Sequence, residues 1–224
     1  MLSLELKKPI NVSYPPVYRY MNKQYVDDFF NNGRIRLSSY KKFRTYPDEI
    51  RGDLNEGSGT YLTPTQEGSQ FMLMTQLGKQ EYMLCGSLLF SEKIQTIFDT
   101  DACIKINSPI EFAASILNCL QGSTQAYLGA CRYQSNRLIK KAIADFSSID
   151  FIGPEGTVIL GGPKMNENMA TIIGNGFDIL YLKEDKYIDQ SEFRFVWSIN
   201  QQYYKMYEYI DIECKEAIQF CERI

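Results

Sequence analysis

The sequence predicts an α+β protein built as a single domain, and three observations support this prediction. Several segments alternate polar and apolar side chains with a period of two, which is the pattern of strands in a packed sheet. Other segments begin with helix-capping residues and carry apolar side chains along one face. The 224 residues contain no internal repeat, no low-complexity segment and no clear linker, so one domain spanning 1–224 is the simplest organisation.

The N-terminal part of the chain predicts two strands on either side of a helix. The strands are expected at Val17 to Tyr20 and at Arg34 to Ser39, where apolar and polar residues alternate. The helix is expected over about Gln24 to Asn32. Asn22 is placed to cap its beginning, and Gly33 is placed to end it in a left-handed turn.

A polar stretch, KKFRTYPDEIRGDLNEGSG, follows the second strand and predicts a long loop. Long loops in compact domains are commonly functional or mobile. The stretch carries four acids, Asp48, Glu49, Asp53 and Glu56. Three of them, Asp48, Asp53 and Glu56, are candidate ligands for a divalent cation, although their spacing matches no known calcium loop. The alternative is a solvated, mobile loop.

Further elements are expected in the rest of the chain. Strands are predicted at Phe71 to Gln76, Glu81 to Phe90, Tyr127 to Tyr133, Val158 to Leu160, Phe177 to Leu182 and Glu192 to Ile199. A helix is predicted from Ser108 to about Leu120, because a serine cap is followed by proline and then by glutamate. Ser135 to Phe146 predicts a basic helix, and Tyr209 to Ile224 predicts a short strand followed by a helix.

The residue composition excludes several kinds of catalysis. The chain has no histidine, which excludes Ser-His-Asp and Cys-His mechanisms and any histidine general base. Its 6 cysteines are scattered without a Cys-x-x-Cys pair, which argues against zinc fingers, zinc hydrolases and a disulfide framework. We therefore predict no zinc site and expect these cysteines to be buried thiols rather than metal ligands.

Charge and hydropathy limit the partners. The net charge of −3 means that the surface as a whole does not attract polyanions. A local basic stripe of Arg132, Arg137, Lys140 and Lys141 could still bind nucleic acid, and the alternative is a solvated helix face. The apolar runs are shorter than a membrane span and no signal-peptide pattern opens the chain, so we expect a cytoplasmic protein with no membrane partner.

The stretch YIDQSEFRFVW contains the most informative pattern in the sequence. Phe193, Phe195 and Trp197 are predicted to lie on one face of a strand. Gln190 and Glu192 are predicted to lie together on the other face, at the beginning of that strand. The Gln-x-Glu pair is interpreted either as a solvated strand end or as part of a functional site.

Three motifs occur in a meaningful order along the chain. Arg19 lies in the first strand, Ser38-Ser39 end the second, and Gln190-x-Glu192 open a late strand. This order resembles the Arg-Ser-Glu signature of the ADP-ribosyltransferase superfamily, whose members cleave NAD and transfer ADP-ribose to an acceptor. The resemblance implies a split antiparallel β-sandwich with flanking helices, and NAD as a substrate.

The N-terminal part of the chain has a second resemblance. The segments YRY and NGRIRLSS and the acidic RGDxxEG loop are similar to a group of bacterial proteins commonly found beside toxin or phage-defence genes. This implies a toxin or anti-phage effector that modifies RNA, DNA or protein, with an antitoxin protein as a further expected partner.

The superfamily resemblance also implies roles for individual residues. Glu192 would accept a hydrogen bond from the ribose and stabilise the ribosyl cation formed when the nicotinamide bond breaks. Gln190 would contact the acceptor. Arg19 would bind the pyrophosphate through its forked guanidinium, with Arg34 and Arg36 as alternatives.

The remaining implied residues surround the same substrate. Ser38 or Ser39 would hold the catalytic glutamate and the nicotinamide ribose through hydroxyl hydrogen bonds. Tyr40, Phe43 and Tyr46 are candidates to line the nicotinamide pocket, and core packing is the alternative, above all for Phe43. Two other functions remain open: a catalytically silent binding module on the same fold, and a metal-dependent nucleic-acid enzyme that uses the acidic loop.

Overall fold

The computed structural model describes residues 13–48, 50, 52–143, 146–147, 163–174, 176–200 and 207–224. The strands are β1 (Val17–Met21), β2 (Arg34–Ser39), β3 (Ser58–Pro64), β4 (Gln70–Gln76), β5 (Glu81–Ser87), β6 (Ala102–Ile106), β7 (Ser123–Ala130), β8 (Arg132–Gln134), β9 (Leu138–Lys140), β10 (Leu182–Glu184), β11 (Glu192–Ile199), β12 (Tyr209–Glu213) and β13 (Cys221–Arg223). The helices are α1 (Lys23–Asn32), α2 (Tyr40–Arg44), α3 (Glu92–Ile97), α4 (Pro109–Cys119), α5 (Pro163–Ile173) and α6 (Phe177–Leu180), with two 3-10 helices at Asp185–Gln190 and Lys215–Phe220. The predicted strand at 158–160 lies outside the described residues.

The main sheet is antiparallel and forks at β5. β5 pairs along its length with β11, and β11 pairs in turn with β7. On its other side β5 pairs with two different strands, β2 near Met83 and β1 at Ser87. The β2 branch continues to β12, and the β1 branch continues to β6 and β13. An antiparallel sheet with several helices confirms the predicted α+β class.

One face of the main sheet packs against α1 and α4. Phe193, Phe195 and Trp197 are buried on this face, as the alternation predicted. Trp197 Nε1 donates a hydrogen bond to the carbonyl of Ala113 in α4 at 3.0 Å, so the indole N–H is satisfied inside the core. Burying each large apolar side chain here contributes about 1.5–3 kcal/mol before entropy is subtracted.

The opposite face of β11 is buried as well. It packs on a cluster of Tyr40, Met83, Leu180 and Val196. Beyond it lies a smaller sheet in the order β4-β3-β9, with its own core around Tyr61. β11 is therefore covered on both faces, and its charged residues point into the interior.

The predicted basic helix at Ser135 to Phe146 is wrong. Leu138–Lys140 instead forms β9, which pairs in parallel with β3, and Thr60 N donates to the Arg137 carbonyl at 2.8 Å. Local propensity is overridden here because the sheet offers both backbone pairing and a buried site for Ile139.

The predicted strand at Phe177 to Leu182 is also wrong over most of its length. Gly176 adopts φ 72°, a left-handed conformation, and α6 begins directly after it. Only Leu182 belongs to a strand, the first residue of β10. Periodicity cannot separate helix from strand in an apolar run this short.

The N-terminal elements follow the sequence closely. Gly33 has φ 74° and ends α1, as predicted, and a Cβ at this position would come within 2.6 Å of Lys215 N. Asn22 occupies the N-cap position, although its side chain makes no capping hydrogen bond. The predicted long loop begins with the short helix α2. In the described part of the chain, no helix is long and apolar enough to cross a membrane.

Candidate functional site

The strands that carry Arg19 and Glu192 meet at one end of β5. Ser87 of β5 lies opposite Tyr18 of β1 on one side and opposite Glu192 of β11 on the other. Pairing between β1 and β5 does not extend past Tyr18, so a fork opens there. Arg19 reaches across this fork, and its Nη1 donates to the carbonyl oxygen of Cys85 at 2.7 Å. Arg19 therefore connects the two strands where their backbone pairing ends.

The two alternative arginines lie elsewhere. Arg36 makes a bidentate pair with Asp211 of β12, with both distances 2.7 Å. Arg34 contacts Asp28 and Glu213 at 3.2 and 3.0 Å. Both side chains are about half exposed, on a strand at the outer branch of the sheet. Arg19 is therefore the arginine of the three at the fork.

The two serines differ in their surroundings. Ser39 is buried, and its Oγ accepts a hydrogen bond from Lys42 N at 3.2 Å, which caps α2. Ser38 lies opposite Met83 of β5, which in turn lies opposite Val196 of β11. Because directly opposed residues point to the same face, Ser38 shares a sheet face with Glu192.

The register assigns β1 residues to faces in the same way. Tyr18 lies opposite Ser87, which lies opposite Glu192, so these three residues share one face of the sheet. Arg19 is next to Tyr18 in the strand, so its side chain leaves the backbone on the other face. The guanidinium of Arg19 binds the backbone of Cys85, on the strand that pairs with β11.

The three candidate aromatic residues do not form one pocket. Tyr40 is fully buried, and its hydroxyl donates to the Leu180 carbonyl at 3.1 Å. Phe43 packs against the same core cluster. Tyr46 lines a separate cavity of about 140 Å³ together with Tyr187. Core packing therefore accounts for Tyr40 and Phe43.

Glu192 is enclosed by two cations. Its Oε1 accepts a hydrogen bond from Arg194 Nε at 2.5 Å, and its Oε2 pairs with Lys183 Nζ. Its backbone N–H donates to the Tyr133 hydroxyl at 2.7 Å. Only 7% of the side chain is exposed. The interpretation of the Gln-x-Glu pair as a solvated strand end is therefore wrong.

Arg194 extends this arrangement to the acidic loop. It is fully buried, and its two terminal nitrogens donate to Glu56 Oε1 and Oε2 at 2.8 and 3.0 Å. It also donates to the Leu180 carbonyl. Two carboxylates and two cations thus form a balanced group, the buried charge cluster of Glu56, Lys183, Glu192 and Arg194. Bidentate arginine–carboxylate pairing of this kind fixes geometry as well as charge.

The cluster holds Glu192 and Lys183 in their charged forms. Burial alone would raise the pKa of Glu192, but the charges of Arg194 and Lys183 outweigh it and hold that pKa well below its ordinary value. Burial alone would lower the pKa of Lys183, and the charges of Glu192 and Glu56 raise it above its ordinary value. Glu192 is therefore an anion throughout the neutral range.

Gln190 reaches the same cluster from a different element. It ends the 3-10 helix Asp185–Gln190, and Ser191 then turns the chain with φ 43°. Lys183 Nζ donates to Gln190 Oε1 at 2.9 Å, and Gln190 Nε2 donates to the Ile50 carbonyl at 2.9 Å. The prediction that Gln190 and Glu192 share a strand face is wrong. They are brought together instead by Lys183.

The acidic loop is tied down by arginines. Asp53 pairs with Arg137, whose side chain is only 12% exposed, and Glu56 pairs with Arg194. Asp48 accepts a hydrogen bond from Ile50 N at 2.8 Å, which closes a local turn. Across the described ranges, no three acidic, cysteine or histidine side chains are grouped to hold a metal ion.

The predicted basic stripe is not formed. Arg137 points inward to Asp53, and its Nη1 also donates to the Ser58 carbonyl at 3.1 Å. Lys141 lies 3.7 Å from Asp178. The stripe required a helix that brings these cations to one side, and β9 replaces that helix.

No protein-family model, curated protein or solved structure matches this chain.

The arrangement places a permanent anion beside permanent cations at the end of β5. An anion fixed in this way can stabilise a cation that develops on a bound sugar, provided the substrate reaches its remaining lone pairs. The sequence did not indicate Lys183 or Arg194 as site residues, and it indicated Glu56 only as a candidate metal ligand. One signal was present: Arg194 lies between Phe193 and Phe195 in a strand rich in large apolar residues, a position where a charge requires a buried partner.

Proposed function

We propose that the chain is an NAD-dependent mono-ADP-ribosyltransferase with a fold of the split β-sandwich type. Its expected role is that of a bacterial toxin or anti-phage effector that modifies a nucleic acid or a protein. One observation supports this proposal most directly. The strands that carry Arg19 and Ser38 are neighbours in the chain and the strand that carries Glu192 is far from both, yet all three pair with β5 around its fork.

The proposed reaction breaks the bond between C1′ of the ribose and the nicotinamide nitrogen. The bonding electrons leave with nicotinamide, and a nucleophile of the acceptor then bonds to C1′ and loses its proton. Glu192 would accept a hydrogen bond from the ribose and stabilise the positive charge at C1′. Its lowered pKa keeps it anionic for this role.

The other motif residues would position the substrate. Arg19 would hold the diphosphate through its forked guanidinium, whose several donors suit a phosphate group. Ser38 lies on the face of Glu192 and would contact the nicotinamide ribose. Gln190, anchored by Lys183 next to Glu192, would contact the acceptor.

A specific observation favours a second candidate, a catalytically silent binding module. Both carboxylate oxygens of Glu192 already contact cations, and the side chain is almost fully enclosed. In this alternative, Glu192 serves to join β11 and β10 rather than to bind a substrate.

Incubation with NAD labelled in its adenylate part separates the two candidates. The wild-type protein is incubated with labelled NAD and a bacterial lysate, and both released nicotinamide and macromolecular label are measured. The transferase predicts both signals, and their absence in every lysate tested favours the silent module.

Variants connect the activity to the fork. Arg19→Lys keeps the positive charge but loses the planar set of guanidinium donors, so it should raise the KM for NAD by about tenfold or more. Glu192→Gln should lower turnover by at least about a hundredfold at a temperature where the variant is folded. Glu213→Gln changes an exposed carboxylate in the same way and should leave turnover unchanged. A fully active Glu192→Gln protein would overturn the proposal.

A further inference from the structure

A cavity of about 360 Å³ lies against β7. Among the described strands, β7 pairs only with β11, so it forms an edge of the main sheet. Cavities that bind small molecules commonly measure about 300–1,000 Å³. Gly129 lies opposite Arg194 in the register, and the N–H of Cys131 donates to the Glu192 carbonyl at 2.8 Å. The cavity is therefore one strand away from the buried charge cluster, on the face toward which Arg194 points.

Three aromatic rings form its walls. The rings of Tyr127 and Phe177 are 4.3 Å apart between centroids, at 63° to each other. Phe177 and Tyr181 are 6.2 Å apart and nearly perpendicular, at 87°. Rings set at such angles offer both faces and edges to a flat ligand.

Gly129 keeps the floor of the cavity open. Its backbone is not in the left-handed region, so the backbone itself does not require glycine there. A Cβ at this position would meet only the Tyr181 ring, at 3.6 Å, which is ordinary contact. The missing side chain therefore leaves space and relieves no strain.

Polar groups surround this aromatic space. Arg132 and Asp178 line the cavity and carry opposite charges. The hydroxyl of Tyr181 is buried, and within the described ranges it has no hydrogen-bond partner. An unsatisfied buried hydroxyl is costly.

We propose that this cavity is a nucleotide-binding site. The base lies among the rings of Tyr127, Phe177 and Tyr181, and its phosphate contacts Arg132. Aromatic walls favour nucleobases because every base has a stacking face, worth about 1–3 kcal/mol per base. Arginine is the preferred partner of phosphate, and Asp178 is an acceptor for an exocyclic amino group. Binding is independent of the transferase reaction, whereas use of the site to present an acceptor base rests on the proposed function.

The first test is calorimetry with four 5′-nucleoside monophosphates, the matching nucleosides, and short single-stranded RNA and DNA. The monophosphates should bind about tenfold or more tightly than the nucleosides, because each adds a charged hydrogen bond. Oligonucleotides that bind better than monophosphates identify a nucleic-acid strand as the source of the base, and the reverse identifies a free nucleotide. No binding of any of these probes overturns the proposal.

Variants localise the binding. Gly129→Val fills the floor and should weaken monophosphate binding by at least about tenfold, whereas Gly129→Ala is the matched control and should lose less. Arg132→Gln, at an exposed residue, should remove the difference between monophosphate and nucleoside even if the valine variant fails to fold. Binding that is unchanged in both Gly129→Val and Arg132→Gln also overturns the proposal.

A further comparison separates this proposal from the proposed function. Nicotinamide and NAD are titrated in parallel, and NAD turnover is measured on the same preparations. Monophosphate binding without NAD turnover supports the nucleotide-binding site and contradicts the transferase proposal. NAD turnover without monophosphate binding supports the transferase and contradicts the nucleotide-binding site. If nicotinamide binds, the monophosphates do not, and the Gly129→Val protein no longer binds nicotinamide, then the cavity is a nicotinamide pocket and the nucleotide proposal is wrong.

Discussion

At the scale of single residues, the buried carboxylate of Glu192 affects both the stability of the fold and the dependence of that stability on pH. Its carboxylate was identified in the sequence by its spacing from Gln190 and by its place at the start of a strand. The structure adds that Arg194 and Lys183 hold both of its oxygens in a buried site. Removing one partner of such a group leaves an uncompensated charge in the interior, which is far more costly than losing a surface pair.

Replacing Glu192 by glutamine should therefore destabilise the fold. The variant keeps the shape of the side chain but leaves two buried cations with Glu56 as their only carboxylate partner in the cluster. We expect a loss of about 3–5 kcal/mol in the free energy of unfolding, measured by urea denaturation. Glu213→Gln, at an exposed pair, should lose no more than about 1 kcal/mol. Equal effects in the two variants would contradict the buried role.

The same residue predicts a dependence of stability on acid. The folded-state pKa of Glu192 lies below its unfolded value, so the unfolded chain takes up its proton first as the pH falls. Its contribution is complete above the unfolded carboxyl pKa, about 4.3, and is lost progressively below it. Urea unfolding between about pH 5 and pH 2 should therefore show a shallower decline for Glu192→Gln than for wild type. Parallel profiles would contradict this expectation.

At the scale of elements, the sequence predicted those whose signals are local. β2 follows Gly33, whose left-handed turn ends α1, and β11 shows strict alternation around Phe193 and Phe195. β9 could not be predicted in this way, because its three residues are held by pairing with β3 and not by their own pattern. The buried charge cluster also escaped prediction, since Glu56 and Arg194 are 138 residues apart and meet only in the folded chain.

A contact between α4 and the C-terminal segment gives a prediction at this scale. Cys119 Sγ lies 2.7 Å from Cys214 Sγ, and Cys119 is exposed. Hydrogen peroxide should convert the two thiols to a disulfide, with the two hydrogens leaving in water. The closed loop is long, so the free energy of unfolding should rise by about 2–4 kcal/mol.

Mass spectrometry of peptides under non-reducing conditions identifies this bond. Cys119→Ser should abolish it and the gain in stability, whereas Cys221→Ser should keep both. A peroxide-treated protein whose Cys119 and Cys214 peptides remain separate would show that the thiols do not join.

At the scale of the whole molecule, charged side chains form ion pairs in the interior as well as on the surface. The net charge is only −3, yet Arg137 and Arg194 are each committed to a carboxylate of the acidic loop. These pairs join the loop to the main sheet and to the β4-β3-β9 sheet, because Arg194 lies in β11 and Arg137 precedes β9. Arg137, which the sequence analysis placed on a nucleic-acid-binding surface, thus stabilises the fold instead.

This distribution predicts how any nucleic-acid binding responds to salt. A stripe of four exposed cations would release several counterions, and the logarithm of the affinity would fall with a slope of about −3 against the logarithm of the salt concentration. Arg137 is buried against Asp53, Lys141 lies beside Asp178, and Lys140 lies on β9 outside the cavity lining. We therefore expect binding of a single-stranded oligonucleotide in the cavity to depend mainly on Arg132. One phosphate contact gives a slope of about −0.7 on single strands. Fluorescence anisotropy across a salt series measures this slope, and Arg132→Gln should bring it close to zero. A slope near −3 that survives Arg132→Gln would mean that a separate basic surface binds the strand.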